Sequence, residues 1–486
     1  MSPRGNPGPR AFASLALSSL VTATLITGCV RPQKEEPVGT LIEAGQLGLT
    51  GPATQPVAEG WWHAFGDPQL DRLVDAALSH NPSLDQALAR VRSSGAQLSA
   101  ERAGLKPRFT LDGDETWQRF SENYYIPPPY GGNRYWVGTV GANMSWTLDF
   151  WGRQAAVIRQ MQARDLAARL DVWSARLAMS GAMAQAYLDL YRAYATLDIA
   201  QRTLEQREQL ARLTNDRFVA GLETSVERDI ARARIAEARN ALEQATSARD
   251  LAVHELAALS ARGADSYSGI GRPRIALDTA LPLPEALPID LLARRPDVLA
   301  ARARVDAADA GRAAAKAAFY PDLSLKAFAG VQAIGLDELA EGGSVIYGSG
   351  PALHLPLFDA KRLRASYKTS TAELDLAVAS YNEVVLNAVR QTADQISLID
   401  SLTRQAQLAR QRLEAAESAH EVAKRRYGAG LVTQLVVLNA ESEVLAARRD
   451  ILALDCNRAV ARITLLLTLG GSFDPARSGE SYGRTQ

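Results

Sequence analysis

The chain has 486 residues, enough for two or three ordinary domains, and its 54 Lys plus Arg balance 54 Asp plus Glu. That balance offers no positive field for nucleic acid, and two cysteines cannot build a disulfide framework. Aromatics make up only 6% while Ala and Leu abound, a composition suited to long helices that pack closely through small side chains.

The first residues read as a targeting segment, 1–28. Arg4 and Arg10 precede an apolar run, Ala11 to Thr27, that ends Leu25-Ile26-Thr27-Gly28-Cys29. A small residue before Cys is the pattern of a bacterial lipobox. Cys29 then becomes the mature N-terminus, carrying S-diacylglycerol and an N-acyl group, and no other cofactor is expected. Val30 in the next position, rather than Asp, fits sorting to the outer membrane. An ordinary signal peptide with an incidental cysteine is the alternative. Residues 29–60 form an N-terminal extension, and Cys456 reads as a buried thiol in a helix. No later stretch has the roughly 20 apolar residues of a spanning helix, so any crossing must use β-strands.

The mature chain is a duplication, which sets the architecture. Pro82 and Pro107 recur 214 residues later as Pro296 and Pro321; Arg217-Phe218-Val219-Ala220-Gly221-Leu222 recurs 209 residues later as Arg426-Tyr427-Gly428-Ala429-Gly430-Leu431. The first repeat spans 61–280 and the second 281–470, with a flexible tail at 471–486.

Each repeat opens with a moderate helix, Ser83 to Leu105 and Asp297 to Phe319, stopped by a proline that cannot continue the hydrogen-bond ladder. Alternating segments follow as β-hairpins, 107–149 and 321–358. In Trp136 to Leu148 one face is Trp136, Gly138, Val140, Ala142, Met144, Trp146 and Leu148, against a mostly polar one. Leu323 to Val331 alternates likewise, and the last strand carries Val345, Tyr347, Leu353, Leu355 and Leu357. Turn-rich loops, Ser121 to Asn133 and Gly335 to Gly343, join the strands. Aromatics crowd the strand ends, as in an interfacial girdle. A small soluble sheet with those aromatics in its core is the competing reading. Four strands cannot close a barrel and open edges are not tolerated in lipid, so membrane-spanning hairpins require several chains to pool them.

Long helices follow, Arg153 to Ala220 and Lys361 to Tyr427, the latter free of Gly and Pro and roughly 100 Å long. Apolar residues recur at Leu374, Val378, Tyr381, Val385, Ala388, Ile399, Leu402, Ala406 and Leu413, interrupted by Thr392 and Gln395. This loose seam suits a multi-helix wall better than a two-stranded zipper. After a Gly-Leu turn come return helices, Glu223 to Arg262 and Val432 to Leu469. The turns, 220–225 and 428–433, are tips of a helical rod whose short helices stack end to end beside each long one.

The ordered set Trp61-Trp62, Asp67-Pro68-Gln69-Leu70, Arg294-Arg295-Pro296-Asp297-Val298, Phe319-Tyr320-Pro321 and Leu355-Pro356-Leu357-Phe358-Asp359, with the two Ala-Gly-Leu turns, resembles the outer membrane factor family of TolC-like efflux channels, in its lipoprotein branch. The resemblance implies a mainly α fold with a membrane β-barrel: a homotrimer whose twelve strands form one barrel, continued by a long α-helical coiled-coil barrel across the periplasm. It implies a passive conduit of a tripartite efflux system. Its partners would be a periplasmic adaptor (membrane fusion protein), an inner-membrane pump of the resistance-nodulation-division type and outer-membrane lipid, with no nucleic acid. By the same resemblance Gly221, Leu222, Thr224, Gly430, Leu431 and Thr433 are the adaptor-contacting tips. Simple helix C-caps are the bland account of those glycines. Arg217, Glu227, Asp229, Arg426, Tyr427 and Asn439 form the expected periplasmic gate, with Asn439 where the family often has Asp. For Arg217 and Arg426 the alternative is a solvated helix face.

No enzyme motif competes. His63, His80, His254, His354 and His420 are scattered, and there is neither a phosphate loop nor a nucleophile elbow. A structural coiled-coil outer-membrane lipoprotein without transport activity is the alternative function.

Overall fold

A computed structural model describes residues 35–49, 51–52, 57–123, 125–277, 288, 290–356 and 358–474; the targeting segment and Cys29 lie outside the described residues. The fold is mainly helical with one antiparallel sheet. Its elements are α1 (Pro68–His80), α2 (Pro82–Ala103), β1 (Arg108–Arg119), β2 (Arg134–Leu148), α3 (Arg153–Val219), α4 (Ser225–Leu259), α5 (Leu291–Arg294), α6 (Pro296–Ala317), β3 (Asp322–Ile334), β4 (Val345–His354), α7 (Ala360–Gly428) and α8 (Gln434–Thr468).

The duplication holds at the level of residues. Helices α2 and α6 are both 22 residues long and 214 apart; α4 and α8 are both 35 residues long and 209 apart. The five-residue change falls within the hairpins, where loop 120–133 has a shorter counterpart in 335–344. Two details differ from the sequence reading. Strand β4 ends at His354, short of Leu355, because Pro356 cannot donate to a ladder; Leu357 lies outside the described residues. Helix α1 was not anticipated as a separate element: Asp67 caps it, Pro68 starts it and Asn81 ends it.

The chain forms two compact units, and each draws on both repeats. Among the described residues, the first comprises those up to Leu41, those of Val91–Ala167 and those of Arg302–Tyr381; the second comprises those of Ile42–Arg90, those of Ala168–Ala301 and those from Asn382 onward.

The first unit holds the sheet, ordered β1-β2-β3-β4. Register puts the apolar alternations of all four strands on one face: Leu111 pairs with Ala142, Ala142 with Ala329, and Ala329 with Tyr347. Gly141 and Gly330 sit directly opposite each other, and a Cβ on Gly330 would lie 2.3 Å from the Val140 carbonyl oxygen. Glycine is needed there because the backbones approach too closely for any side chain. Part of the N-terminal extension is fixed in this unit. Val38 and Gly39 N–H groups donate to Asp375 at 2.9 and 3.0 Å, and Glu35 pairs with Lys368 at 3.3 Å.

The second unit carries the principal core. Trp61, Trp62 and Phe65 pack with Leu70 and Val74 of α1, Met183 to Leu190 of α3, Leu256 of α4 and Ile463 of α8. Gly181, the lone glycine of α3, faces α8: a Cβ there would meet Leu467 at 2.2 Å. Most of the anticipated seam on α7 is buried, including Val385, Ala388, Leu402 and Ala406. Thr392 sits within it fully buried, its hydroxyl donating to the Ala388 carbonyl at 2.9 Å. Phe473 is buried against Trp173, so the ordered chain runs past the anticipated end of the repeat.

The family-marking motifs are structural. Asp67 accepts hydrogen bonds from Tyr187 Oη (2.6 Å), Arg274 N (2.6 Å) and Gln69 N (2.9 Å). Arg295 grips Asp297 with two nitrogens, at 3.0 and 2.7 Å, and donates to the Thr468 carbonyl at 3.0 Å. Such bidentate charge-assisted bonds are strong enough to place a buried guanidinium.

Candidate functional site: the exposed sheet face and the helical tips

The apolar face of the sheet is uncovered. Phe109, Leu111, Trp136, Val140, Tyr347 and Leu353 share it with exposures from 41 to 81%. A soluble cap would bury them; an uncovered apolar surface of this extent marks an interaction surface. Its ends carry aromatics. Trp117 and Trp136 pair at 5.2 Å at the loop end, while Trp151 stacks on Tyr320 at 4.7 Å at the helix end. There Trp146 and Trp151 indole N–H groups donate to the carbonyls of Leu105 and Pro321, each at 2.9 Å. From Trp136 to Trp146 the strand covers roughly 34 Å, which at the usual barrel tilt is roughly 26 Å, the height of an outer-membrane apolar band.

The opposite face is mostly polar, although Phe328 and Ile346 also lie on it. Asp112 accepts from Asn143 Nδ2 and Thr110 Oγ1, both at 2.8 Å, and Lys326 and Gln332 share that side by register. Apolar outside and polar inside is the alternation of a membrane barrel. Among the described residues of one chain, β1 and β4 each have a neighbour on one side only.

The tips are built alike and finished differently. Gly221 and Gly430 adopt φ of 71° and 73°, and a Cβ on either would touch nothing, so conformation rather than space demands glycine. Leu222 N–H donates to the Arg217 carbonyl (2.8 Å) and Gly221 N–H to that of Phe218 (3.0 Å). In the second repeat Leu431 donates to Arg426 and Gly430 to Tyr427, both at 2.9 Å. Each is a Schellman cap that satisfies the last carbonyls of a long helix.

At the first tip, Thr224 and Glu227 form a reciprocal capping box: Val226 N–H donates to Thr224 Oγ1 at 3.2 Å and Thr224 N–H to Glu227 Oε2 at 3.1 Å. The Thr224 bond holds the Glu227 carboxyl below its ordinary pKa. Arg217 pairs with Glu223 at 2.9 Å, Asp229 with Arg228 at 3.3 Å and Arg232 at 3.5 Å. Arg228 also lies 4.5 Å over the Phe218 ring. Arg217, Glu227 and Asp229 are therefore engaged within their own tip.

At the second tip Val432 and Val436 stand where the first has Glu223 and Glu227. Thr433 makes no side-chain cap bond, and Arg426, Tyr427, Leu431 and Asn439 are exposed. Sequence reading missed a buried amide beside Asn439. Gln206 of α3, 2% exposed, donates Nε2–H to the Leu438 carbonyl and to Ser442 Oγ (2.8 Å), both on α8. A lone Gln on an apolar face was its only sequence signal.

No helix among the described residues is long and apolar enough to cross a membrane. Among the described residues no cluster of three or more His, Cys, Asp or Glu could hold a metal.

The model of the outer membrane efflux protein family matches residues 73–262 and 287–471. The multidrug resistance outer membrane protein MdtP of Escherichia coli K12 is 30% identical over 482 residues, covering 96% of this chain and 98% of its own. The fusaric acid resistance protein FusA of Burkholderia cepacia is 34% identical over 75% of this chain and 70% of its own. The crystal structure of the outer membrane protein VceC from Vibrio cholerae superposes with a TM-score of 0.79 at 33% identity, over 86% of this chain and all of that one. Members of this family are channel or transporter components rather than enzymes. An uncovered apolar sheet girdled by aromatics, tall duplicated helices and a family match across both repeats place this chain in the outer membrane efflux protein family, as a channel subunit of the outer membrane with its helical barrel in the periplasm.

Proposed function

We propose that three copies pool their hairpins into one twelve-stranded barrel and conduct substrates passively outward from a periplasmic adaptor and an inner-membrane pump of the resistance-nodulation-division type. The observation that carries this reading is the apolar sheet face bounded by two unpaired edges, because open edges in lipid leave backbone groups without partners. Cys29 anchors each copy through S-diacylglycerol and an N-acyl group; tethering of Glu35 to Lys368, six residues downstream, supports an anchor beside the first unit. The tips at Gly221-Leu222 and Gly430-Leu431 meet the adaptor, which opens the entrance only by binding the open form better.

Purified protein in planar lipid bilayers tests the reading. Discrete ionic conductance from a trimeric species supports it. A trimer or monomer that never conducts, even with its tip contacts mutated, points to a structural lipoprotein spacer instead.

A further inference from the structure

Strands β1 and β2 set Arg119 directly opposite Arg134, at the loop end of their ladder. Both lie on the apolar face of the sheet, because each is two positions from a residue of the Trp117/Trp136 pair on that face. Beyond them the Phe120 N–H donates to the Asn133 carbonyl at 3.0 Å and the Gly132 N–H to the Phe120 carbonyl at 3.1 Å, so the backbone of the pair is fixed on both sides. Residues directly opposite carry their Cβ atoms about 5 Å apart, and like charges so placed destabilise the sheet. The repulsion is relieved only by an anion beside the two guanidinium groups.

The chain supplies that anion to one of them. Arg119 bonds Glu122 at 2.9 Å, but the two side chains are 54 and 69% exposed, and a pair so exposed contributes about 1 kcal/mol at most. Arg134 is exposed and has no acidic partner among the described residues. Glu115, the next acid inward on that face of β1, lies roughly 13 Å along the strand from Arg119. The helix end of the same unit differs, for there Arg153 is matched by Asp322 at 3.3 Å. The second hairpin holds no such pair, since loop 335–344 carries Asp337, Glu338 and Glu341 and no Lys or Arg.

Trp117 and Trp136, 5.2 Å apart, mark one edge of the apolar band. With the helical barrel in the periplasm, that edge is the exterior one. Two further residues are a rise of roughly 7 Å along a strand, which carries the arginines from the apolar band to the level of the headgroups. We propose that Arg119 and Arg134 hold the phosphate of an anionic lipid of the exterior leaflet, one lipid per copy, with its acyl chains along the uncovered face. A guanidinium presents a planar fork of donors that fits phosphate oxygens, so one phosphate between the two converts their repulsion into shared charge-assisted bonds. The inference rests on the barrel reading above, because only a face turned to lipid meets such headgroups.

Full-length protein in detergent, titrated with bisphosphorylated lipid A and weighed by native mass spectrometry, tests this. Wild-type trimers should retain the lipid, and removing both phosphates from the probe should weaken binding about tenfold or more. Arg119→Gln with Arg134→Gln should weaken it as much, whereas Arg119→Lys with Arg134→Lys keeps the charge but not the fork and should lose about threefold. Glu122→Gln frees Arg119 and should tighten binding about two- to fivefold. Bilayer conductance of every variant should stay within about twofold, since these side chains lie outside the lumen. Equal binding by wild type and the double glutamine variant, or by phosphorylated and dephosphorylated probe, overturns the proposal. So does displacement of the lipid by excess inorganic phosphate, which would make the pair a general anion site. A conducting trimer without phosphate-dependent lipid sinks this inference alone; if the wild-type protein forms no conducting trimer, the barrel reading fails and the inference falls with it.

Discussion

Arg239 on α4 lies 3.2 Å from Glu208 on α3, and the same ion pair recurs 209 residues later as Arg448 and Glu417 at 2.8 Å. Repetition of a side-chain contact shows that the duplication preserved how helices pack as well as their order. Both pairs are largely exposed, so their value is alignment rather than stability. Glu208→Gln or Glu417→Gln is expected to cost less than about 1 kcal/mol in denaturant titrations.

The tips should respond unequally to equivalent changes. Thr224→Ala removes a bonded cap and is expected to destabilise the first tip by about 1 kcal/mol. Thr433→Ala removes no such bond and should be near neutral. Hydrogen exchange at the first turns of α4 and α8 reads the difference; equal changes at both would contradict the asymmetry.

Asn439 is exposed next to Leu438, whose carbonyl the buried Gln206 engages, and in the proposed gate a carboxylate at this position adds charge. Asn439→Asp is expected to make the open channel more cation-selective and more sensitive to block by multivalent cations. Reversal potentials in a salt gradient check it, and unchanged values would remove Asn439 from the gate.

Asp67 gives an acid-side prediction. Burial opposes its ionisation, but hydrogen bonds from Tyr187, Arg274 N–H and Gln69 N–H outweigh burial and hold its pKa below the ordinary value. A folded pKa below the unfolded one stabilises above the unfolded value of about 3.9, and that stability is lost as pH falls through the folded pKa. Asp67→Asn should therefore flatten the acid limb of thermal stability against pH. Tyr187→Phe, which leaves the buried carboxylate short of a donor, should cost about 1–3 kcal/mol near neutrality.

Gly330 tests the sheet. Gly330→Val places a side chain where the Val140 carbonyl already lies and is expected to prevent pairing of β2 with β3. Folded, detergent-resistant protein should be lost, whereas Gly350→Val, which has open space at Cβ, should be tolerated.

The duplication, the two hairpins, the long helices and the glycine turns are legible in the residues alone, because each depends on local chemistry. Alternation of period two, proline stops and positive-φ glycines act within a few residues of one another. The amino-acid order also located the family, through Trp61-Trp62, Asp67 and Arg295, although those residues proved to be core and its polar anchors. Which faces share a side follows from strand pairing. Register aligned Leu111, Ala142, Ala329 and Tyr347 on one uncovered surface, and the pairing of β2 with β3 joins residues nearly two hundred positions apart. The tertiary structure likewise showed Glu227 engaged in a helix cap and brought Gln206 onto Leu438 and Ser442. Those roles depend on what a side chain meets, and neither the residue nor its local pattern carries that information.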